Sequence, residues 1–291
     1  MRKELPMDCT HTTISCGAET PFRALHLTDS HICRADARDG ERKVHLAESR
    51  RTVFDEGVPG RAERFLREQL AYADENDLPI LYTGDFCDFV SCANLEFLRG
   101  ELGARDCFFA AGNHEFSLYV GEAFEDEAYK LQSFDRVQSC CKNDLRFASR
   151  VLHGVNFIAI DNVYYDFTAR QLDALKAEIA RGLPVVLMMH TPLYTQELCD
   201  YAMGDLGQPC AYLAGAPAER TETYPPDRRV QQQPNRETMA FIDYVYQQPL
   251  IRAVLAGHLH YDFETRLSNG IMQYVTGGGF RGCAREITFV P

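Results

Sequence analysis

Five short patches, far apart in the chain, carry side chains able to hold metal ions. They read Asp29-Ser30-His31, Gly84-Asp85-Phe86-Cys87-Asp88, Gly112-Asn113-His114-Glu115, the lone His190 of Met188-Met189-His190-Thr191-Pro192, and Gly257-His258-Leu259-His260. Among them are the carboxylates of Asp29, Asp85 and Asp88, the amide of Asn113 and the imidazoles of His31, His114, His190, His258 and His260. Oxygen and nitrogen donors in that mixture suit a pair of borderline-hard divalent cations better than one structural zinc. Asp29 and His31, like His258 and His260, stand two apart, so in an extended segment they point the same way. Such a pair can chelate one ion or serve two adjacent ions, and a carboxylate such as Asp85 can bridge two cations through its two oxygens. Two metals about 3.5–4 Å apart clamp a phosphoryl group and lower the pKa of a shared water toward neutrality.

Each patch follows an apolar run that reads as a strand. Candidate strands are Phe22–Thr28, Pro79–Thr83, Cys107–Ala111, Val155–Ile160, Val185–Met189, Ile251–Ala256, Ile271–Val275 and Glu286–Val290. The last two, around Asn269-Gly270, read as consecutive antiparallel strands, which predicts a mixed sheet system. Helical patterns occupy Arg61–Asn76, Ala93–Leu102, Thr168–Arg181 and Glu237–Gln247. The third opens on a Thr168/Gln171 capping box and stops at Gly182 and Pro184. Alternating strands and helices predict an α/β fold. In such sheets ligands gather beyond the carboxyl ends of the strands, where distant patches can converge. Gly84, Gly112 and Gly257 precede the candidate ligands, where backbone must approach closely.

The patches span residues 29 to 260 of 291, so one domain over nearly the whole chain is expected, with residues 1–20 as an N-terminal extension. Two segments lack strong periodicity, Ile32–Gly60 and the Gly- and Pro-rich Gln196–Arg236. The second is expected to be a lid or cap insertion. No run approaches ~18 consecutive apolar residues, which argues against a membrane span. Met1–Asp8 opens with charge but no apolar stretch follows, and eleven scattered cysteines form no framework. Reduced thiols in the cytoplasm are the expectation. A net charge of −12 argues against a broad face for long nucleic acid, although two bound cations would reverse the field locally in a cleft.

Several residues invite a sharper reading than they support. Cys87 sits inside the second patch but reads as a buried inert thiol. Cys9, His11 and Cys16 fit no zinc-finger spacing and lack a fourth ligand. His26, His45 and His153 carry no motif and read as structural or surface residues. Arg34, Arg38, Arg42, Lys43, Arg50 and Arg51 interleave with acidic residues, as a solvated mixed-charge loop does, with one Arg near enough to Asp29-Ser30-His31 to reach a substrate phosphate. Phe86, Phe89, Phe116 and Tyr119 read mostly as core.

Taken in order, the five patches resemble the calcineurin-like metallophosphoesterase superfamily, whose pattern is D-x-H, G-D-x-x-D, G-N-H-[ED], H and G-H-x-H. The resemblance covers roughly residues 22–282. It implies a four-layer α/β/β/α sandwich, two mixed β-sheets flanked by helices. It also implies a binuclear centre, with Asp29, His31 and His260 on the first metal, Asn113, His190 and His258 on the second, and Asp85 bridging. His114 resembles the family's catalytic imidazole and Asp88 the carboxylate that orients it. The implied reaction is direct attack on phosphorus by a metal-bridging hydroxide, with a small soluble phosphomonoester or phosphodiester as substrate. The donor set admits Mn²⁺, Fe, Zn²⁺ or Co²⁺.

One departure narrows the expectation. The Ser/Thr protein phosphatases of this superfamily follow the second motif with Arg-Gly, whereas Phe89-Val90 follow Asp88 here. The purple acid phosphatases carry a Tyr ligand where Asp88 stands. Two other readings stay open at this stage. One is a cyclic-nucleotide phosphodiesterase or nuclease of the same superfamily, and the other a catalytically silent metal-binding scaffold, which the presence of His114 disfavours. Oligomeric state is not legible.

Overall fold

The computed structural model describes residues 7–291. Residues 1–6, the start of the expected N-terminal extension and of the charged opening, lie outside the described residues. Among the described residues, eleven strands form two sheets. The first has the order β1 (Asp8–Ser15), β11 (Cys283–Val290), β2 (Phe22–Leu27), β3 (Ile80–Tyr82), β4 (Cys107–Phe109). The second runs β5 (Phe147–Leu152), β6 (Val155–Ile160), β7 (Val185–Met188), β8 (Ile251–Ala256), β10 (Met272–Val275), β9 (Phe263–Arg266). Both are mixed. β2, β3 and β4 run parallel and so do β6, β7, β8 and β10, while β11 meets β2, and β9 meets β10, in antiparallel fashion.

The helices are α1 (Glu41–Phe54), α2 (Arg61–Glu75), α3 (Cys92–Gly103), α4 (Glu127–Leu131), α5 (Phe134–Gln138), α6 (Ala169–Ile179), α7 (Gln196–Asp200), α8 (Ala218–Thr221), α9 (Pro226–Gln232) and α10 (Arg236–Gln247). The period of two along a strand sorts side chains between layers. Val186 and Met188 of β7 join Phe157, Leu255, Ile287 and Phe289 in a core between the sheets. Val185 and Leu187 face the other way, onto Leu175 of α6 and Phe241 and Val245 of α10. Leu25, Leu27 and Tyr82 of the first sheet pack on Leu66 and Leu70 of α2 and Leu98 of α3. Strands buried on both faces read as continuous apolar runs, which is why they were legible. The result is the expected α/β/β/α sandwich.

Three local expectations need correction. The antiparallel pair at Asn269-Gly270 is β9 with β10, not β10 with β11. After β10 the chain crosses to the first sheet, where β11 lies between β1 and β2. Residues 8–15, within the expected extension, are edge strand β1 in parallel register with β11. Segment 32–60 holds a full helix, α1. It buries only Lys43, Ala47 and Phe54, so good helix formers build it without leaving an apolar stripe to read. The Thr168/Gln171 capping box forms as expected.

Candidate metal centre

Every patch sits at the carboxyl end of a parallel strand, and backbone hydrogen bonds extend the sheet register into the loops. Asp29 N donates to Gly84 O at 2.9 Å, His31 N to Asp85 O at 2.9 Å, and Gly257 N to His190 O at 3.0 Å. Backbone approach is close enough to exclude side chains. A Cβ on Gly112 would lie 2.2 Å from Asp85 Oδ1, and one on Gly257 would lie 1.9 Å from Thr28 Oγ1. Asp29, His31, Asp85, His258 and His260 all have φ between 45° and 71°. That left-handed conformation is costly for residues with a Cβ and tends to cluster at functional sites.

The side chains converge as two groups that meet at Asp85. In the first, His31 Nε2 lies 2.9 Å from His260 Nε2, while Asp29 Oδ1 is 3.7 Å from His31 Nε2 and 3.4 Å from His260 Nε2. In the second, His190 Nε2 lies 3.1 Å from His258 Nδ1 and 3.1 Å from Asp85 Oδ2. The same Asp85 Oδ2 is 3.7 Å from His31 Nε2, so one oxygen faces both groups. Asn113 lines the cavity that Asp85 and His258 share.

Two observations show that cations fit here. Asp29 Oδ1 and Asn113 Oδ1 are buried and have no hydrogen-bond partner, which is rare for polar atoms in a folded interior. The outer atoms of the same groups are tied. Asp29 Oδ2 accepts from Thr28 Oγ1 and from His258 N, and Asp85 Oδ1 accepts from His114 N. The imidazoles follow the same logic. His31 Nδ1 meets Asp88 Oδ1 at 3.1 Å, His190 Nδ1 meets Thr83 O at 2.7 Å, and His258 Nε2 meets Tyr165 Oη at 3.1 Å. The carboxylate and carbonyl acceptors select the tautomer of His31 and His190 whose inner nitrogen carries a lone pair, and a hydroxyl at His258, able to accept, is compatible with the same arrangement there. His258 is turned the opposite way from the other two, with Nδ1 inward.

Asp88 touches more than expected. Besides His31, its Oδ1 lies 3.1 Å from His114 Nδ1, whose ring also meets the Asp88 backbone carbonyl at 2.8 Å. Arg50 of α1 donates to both carboxylate oxygens, at 2.6 and 2.9 Å. Burial would raise the Asp88 carboxyl, but His114 and Arg50 outweigh it and hold it well below the usual range. Burial likewise opposes charge on His114, yet Asp85 and Asp88 push it up to about 10. Burial and the nearby His190 push His258 down to about 3. Helix α3 is capped by Ser91, so Asp88 has no capping task.

Four supporting residues escaped the sequence reading. Glu115 accepts from the backbone N–H of Asp85, Gly112 and Cys87 at 2.7, 2.7 and 3.0 Å, lashing two loops together. Its place in the third motif was the available signal. Arg50 was one of six similar cations, and Tyr165 stands in no motif. Phe54 stacks on His31 with ring centroids 4.1 Å apart.

The remaining readings settle simply. Cys87 is buried, with its thiol on the Asn94 carbonyl. His26 is buried between the Thr83 and Thr276 hydroxyls. Phe86, Phe89 and Phe116 are fully buried, whereas Tyr119 is half-buried beside Arg42 and Lys43. Cys9, His11 and Cys16 are in none of the candidate ligand groups among the described residues.

A cleft of about 440 Å³ opens onto Asp85, Asn113, His114, His258 and His260. A second cavity, about 500 Å³, shares Phe124, Glu125, Tyr164 and Gln231 with it but reaches none of the candidate ligands.

The model of the calcineurin-like phosphoesterase family matches residues 22–262, a span that contains all five patches. Among solved structures, a dimetal phosphatase from Danio rerio is 13% identical, aligns over 89% of this chain and 88% of its own, and superposes with a TM-score of 0.52. Phosphopantetheinyl hydrolase from Mycobacterium tuberculosis is 13% identical over 94% of this chain and 92% of its own, with a TM-score of 0.41. The 5'-nucleotidase from Candida albicans is 13% identical over 94% and 48%, with a TM-score of 0.43. At these identities the first likeness speaks for the fold alone, and the other two carry no argument. No curated protein matches the chain significantly. Since the family model covers most of the chain and every patch within it, the protein belongs to the calcineurin-like phosphoesterase family and is a metal-dependent phosphoester hydrolase.

Proposed function

We propose that the chain hydrolyses small phosphomonoesters or phosphodiesters at a binuclear centre, by direct attack of water on phosphorus. Asp29, His31 and His260 would hold one cation, Asn113, His190 and His258 the other, with Asp85 between them. The observation that carries this reading is the single Asp85 oxygen facing imidazoles of both groups, at 3.7 and 3.1 Å. Two divalent cations there supply Lewis acidity and make a water acidic near neutral pH.

The chain's own residues do the rest. His114 Nδ1 is held by Asp88, which leaves Nε2 for the cleft. From that atom a proton can pass to the leaving oxygen. Asp88 orients the ring, and Arg50 fixes Asp88 from behind. Segment 196–236 acts as a cap, since Gln208, Tyr212 and Arg228 from it line the cleft. A reducing compartment such as the cytoplasm suits the eleven free cysteines, many of them buried. No helix among the described residues is long and apolar enough to cross a membrane.

Metal analysis together with turnover tests the reading. The purified chain should bind two divalent ions and hydrolyse p-nitrophenyl phosphate or its bis ester. Asp85→Asn should weaken both ions at once. Unchanged stoichiometry and affinity in that variant would remove the bridge.

A further inference from the structure

We propose that Arg228 binds a second anionic group on the leaving-group side of the ester, a reading that rests on the cleft being the hydrolytic site proposed above. Arg228 stands on α9 and is the one Lys or Arg lining that cleft among the described residues. Its guanidinium lies 5.7 Å from the Tyr212 ring centroid, and the Tyr212 ring lies 6.1 Å from the ring of His258. The cation therefore stands one aromatic ring outward from a candidate ligand.

Its present partners leave most of its donors open. One NH group donates to Gln231 Oε1 at 2.9 Å, Nε is 3.8 Å from Asp227, and the side chain is 40% exposed. Arg50, by contrast, spends Nε and one NH2 group on Asp88 and does not line this cleft. A planar guanidinium with free donors matches phosphate and carboxylate in two parallel hydrogen bonds. In a chain of net charge −12, the one Lys or Arg in this cleft wall among the described residues, set beside Asp227 and across from Glu125 in the lining, is the point to which an anion is drawn.

Two residues of the lining also hold a polar atom that is shielded from solvent and lacks a partner. The Tyr164 hydroxyl, on a residue 6% exposed, and Gln208 Oε1 are buried without a hydrogen bond. The open guanidinium donors, rather than these solvent-shielded atoms, set the substrate class as a phosphate ester whose leaving group also carries a phosphate or a carboxylate.

Three esters on one carbon skeleton test the role of Arg228: propane-1,3-diol bisphosphate, 3-phosphooxypropanoate and propyl phosphate. The manganese-loaded chain should favour at least one doubly anionic ester over propyl phosphate by tenfold or more in kcat/KM, and which one identifies the anion. Arg228→Gln should lose at least tenfold on that ester, mainly through KM, and lose far less on propyl phosphate. Arg228→Lys, which keeps a point charge, should recover part of the loss. Calorimetry with propane-1,3-bisphosphonate should show the same weakening without turnover. Equal losses on all three esters, or a wild type with no preference, would overturn the proposal. Failure of the loaded wild type to hydrolyse any ester would sink the proposed reaction instead. Calorimetry would then decide alone, with equal affinity of wild type and Arg228→Gln overturning the role of Arg228.

Discussion

Each of three imidazoles in the centre turns one nitrogen inward because a neighbour holds the other. Asp88 holds His31, the Thr83 carbonyl holds His190 and the Tyr165 hydroxyl holds His258. Only Asp88 among these holders was legible in the sequence, since a backbone carbonyl and a tyrosine outside every motif leave no mark there. His114 is held in the same manner but has no place in the two ligand groups proposed above. Its loss should therefore separate chemistry from binding. His114→Ala is expected to keep both metals and lower kcat by ~10²-fold or more, measured by metal analysis beside steady-state kinetics. Loss of a metal along with activity would make His114 a ligand rather than a proton donor.

At the scale of elements, strands with both faces buried and the outer helices α2, α3, α6 and α10 announced themselves, and several partly exposed elements did not. β6, β7 and β8 were found nearly to the residue. Edge strands β1, β5 and β9 were not, because partly exposed strands carry too little apolar signal. Helix α1 was missed for the same reason, and with it the source of Arg50. One buried group ties an element to pH. His26 on β2 is enclosed between two threonine hydroxyls, and burial, aided by Arg285, pushes it down to about 3 from 6.5. The unfolded chain therefore takes up a proton below about 6.5 that the folded chain refuses until about 3, so folding weakens as pH falls through that window. The contribution is limited to about 1.4 kcal/mol per pH unit. His26→Gln keeps a side chain able to bond both threonines and should flatten the fall of Tm between pH 6.5 and 4.5. An identical slope in the variant would show that other groups set it.

At the scale of the whole molecule, segment 196–236 is part of the body of the protein. Leu198, Ala202, Leu213 and Tyr224 from segment 196–236 share a core with Leu259 and Val275. Leu259 lies between His258 and His260, so excising the segment would uncover the candidate centre's own loop. Point changes such as Arg228→Gln, rather than deletion, are the way to read its part in selectivity. Metal removal is the matching whole-molecule experiment, because carboxylates and imidazoles facing one another are relieved by the cations between them. An ion at a thousandfold excess over its Kd adds about 4 kcal/mol to stability. Stripping with a chelator should therefore lower Tm by on the order of 10 °C, reversibly on adding Mn²⁺. A Tm indifferent to chelator would speak against ions held inside the fold.

By itself the sequence determined the reaction class and most of the buried strands, and it named the nine residues proposed for the centre. Ligand chemistry and strand burial are both written in residue type and local spacing, and the family model covers the same span. Only the tertiary structure decided which atoms face inward. The Asp85 oxygen between two imidazole groups, the reversed ring of His258, the grip of Arg50 on Asp88 and the place of Arg228 in the cleft all depend on contacts between residues far apart in the chain. Contacts of that kind arise when the two sheets and segment 196–236 pack together, and no local pattern of residues encodes them.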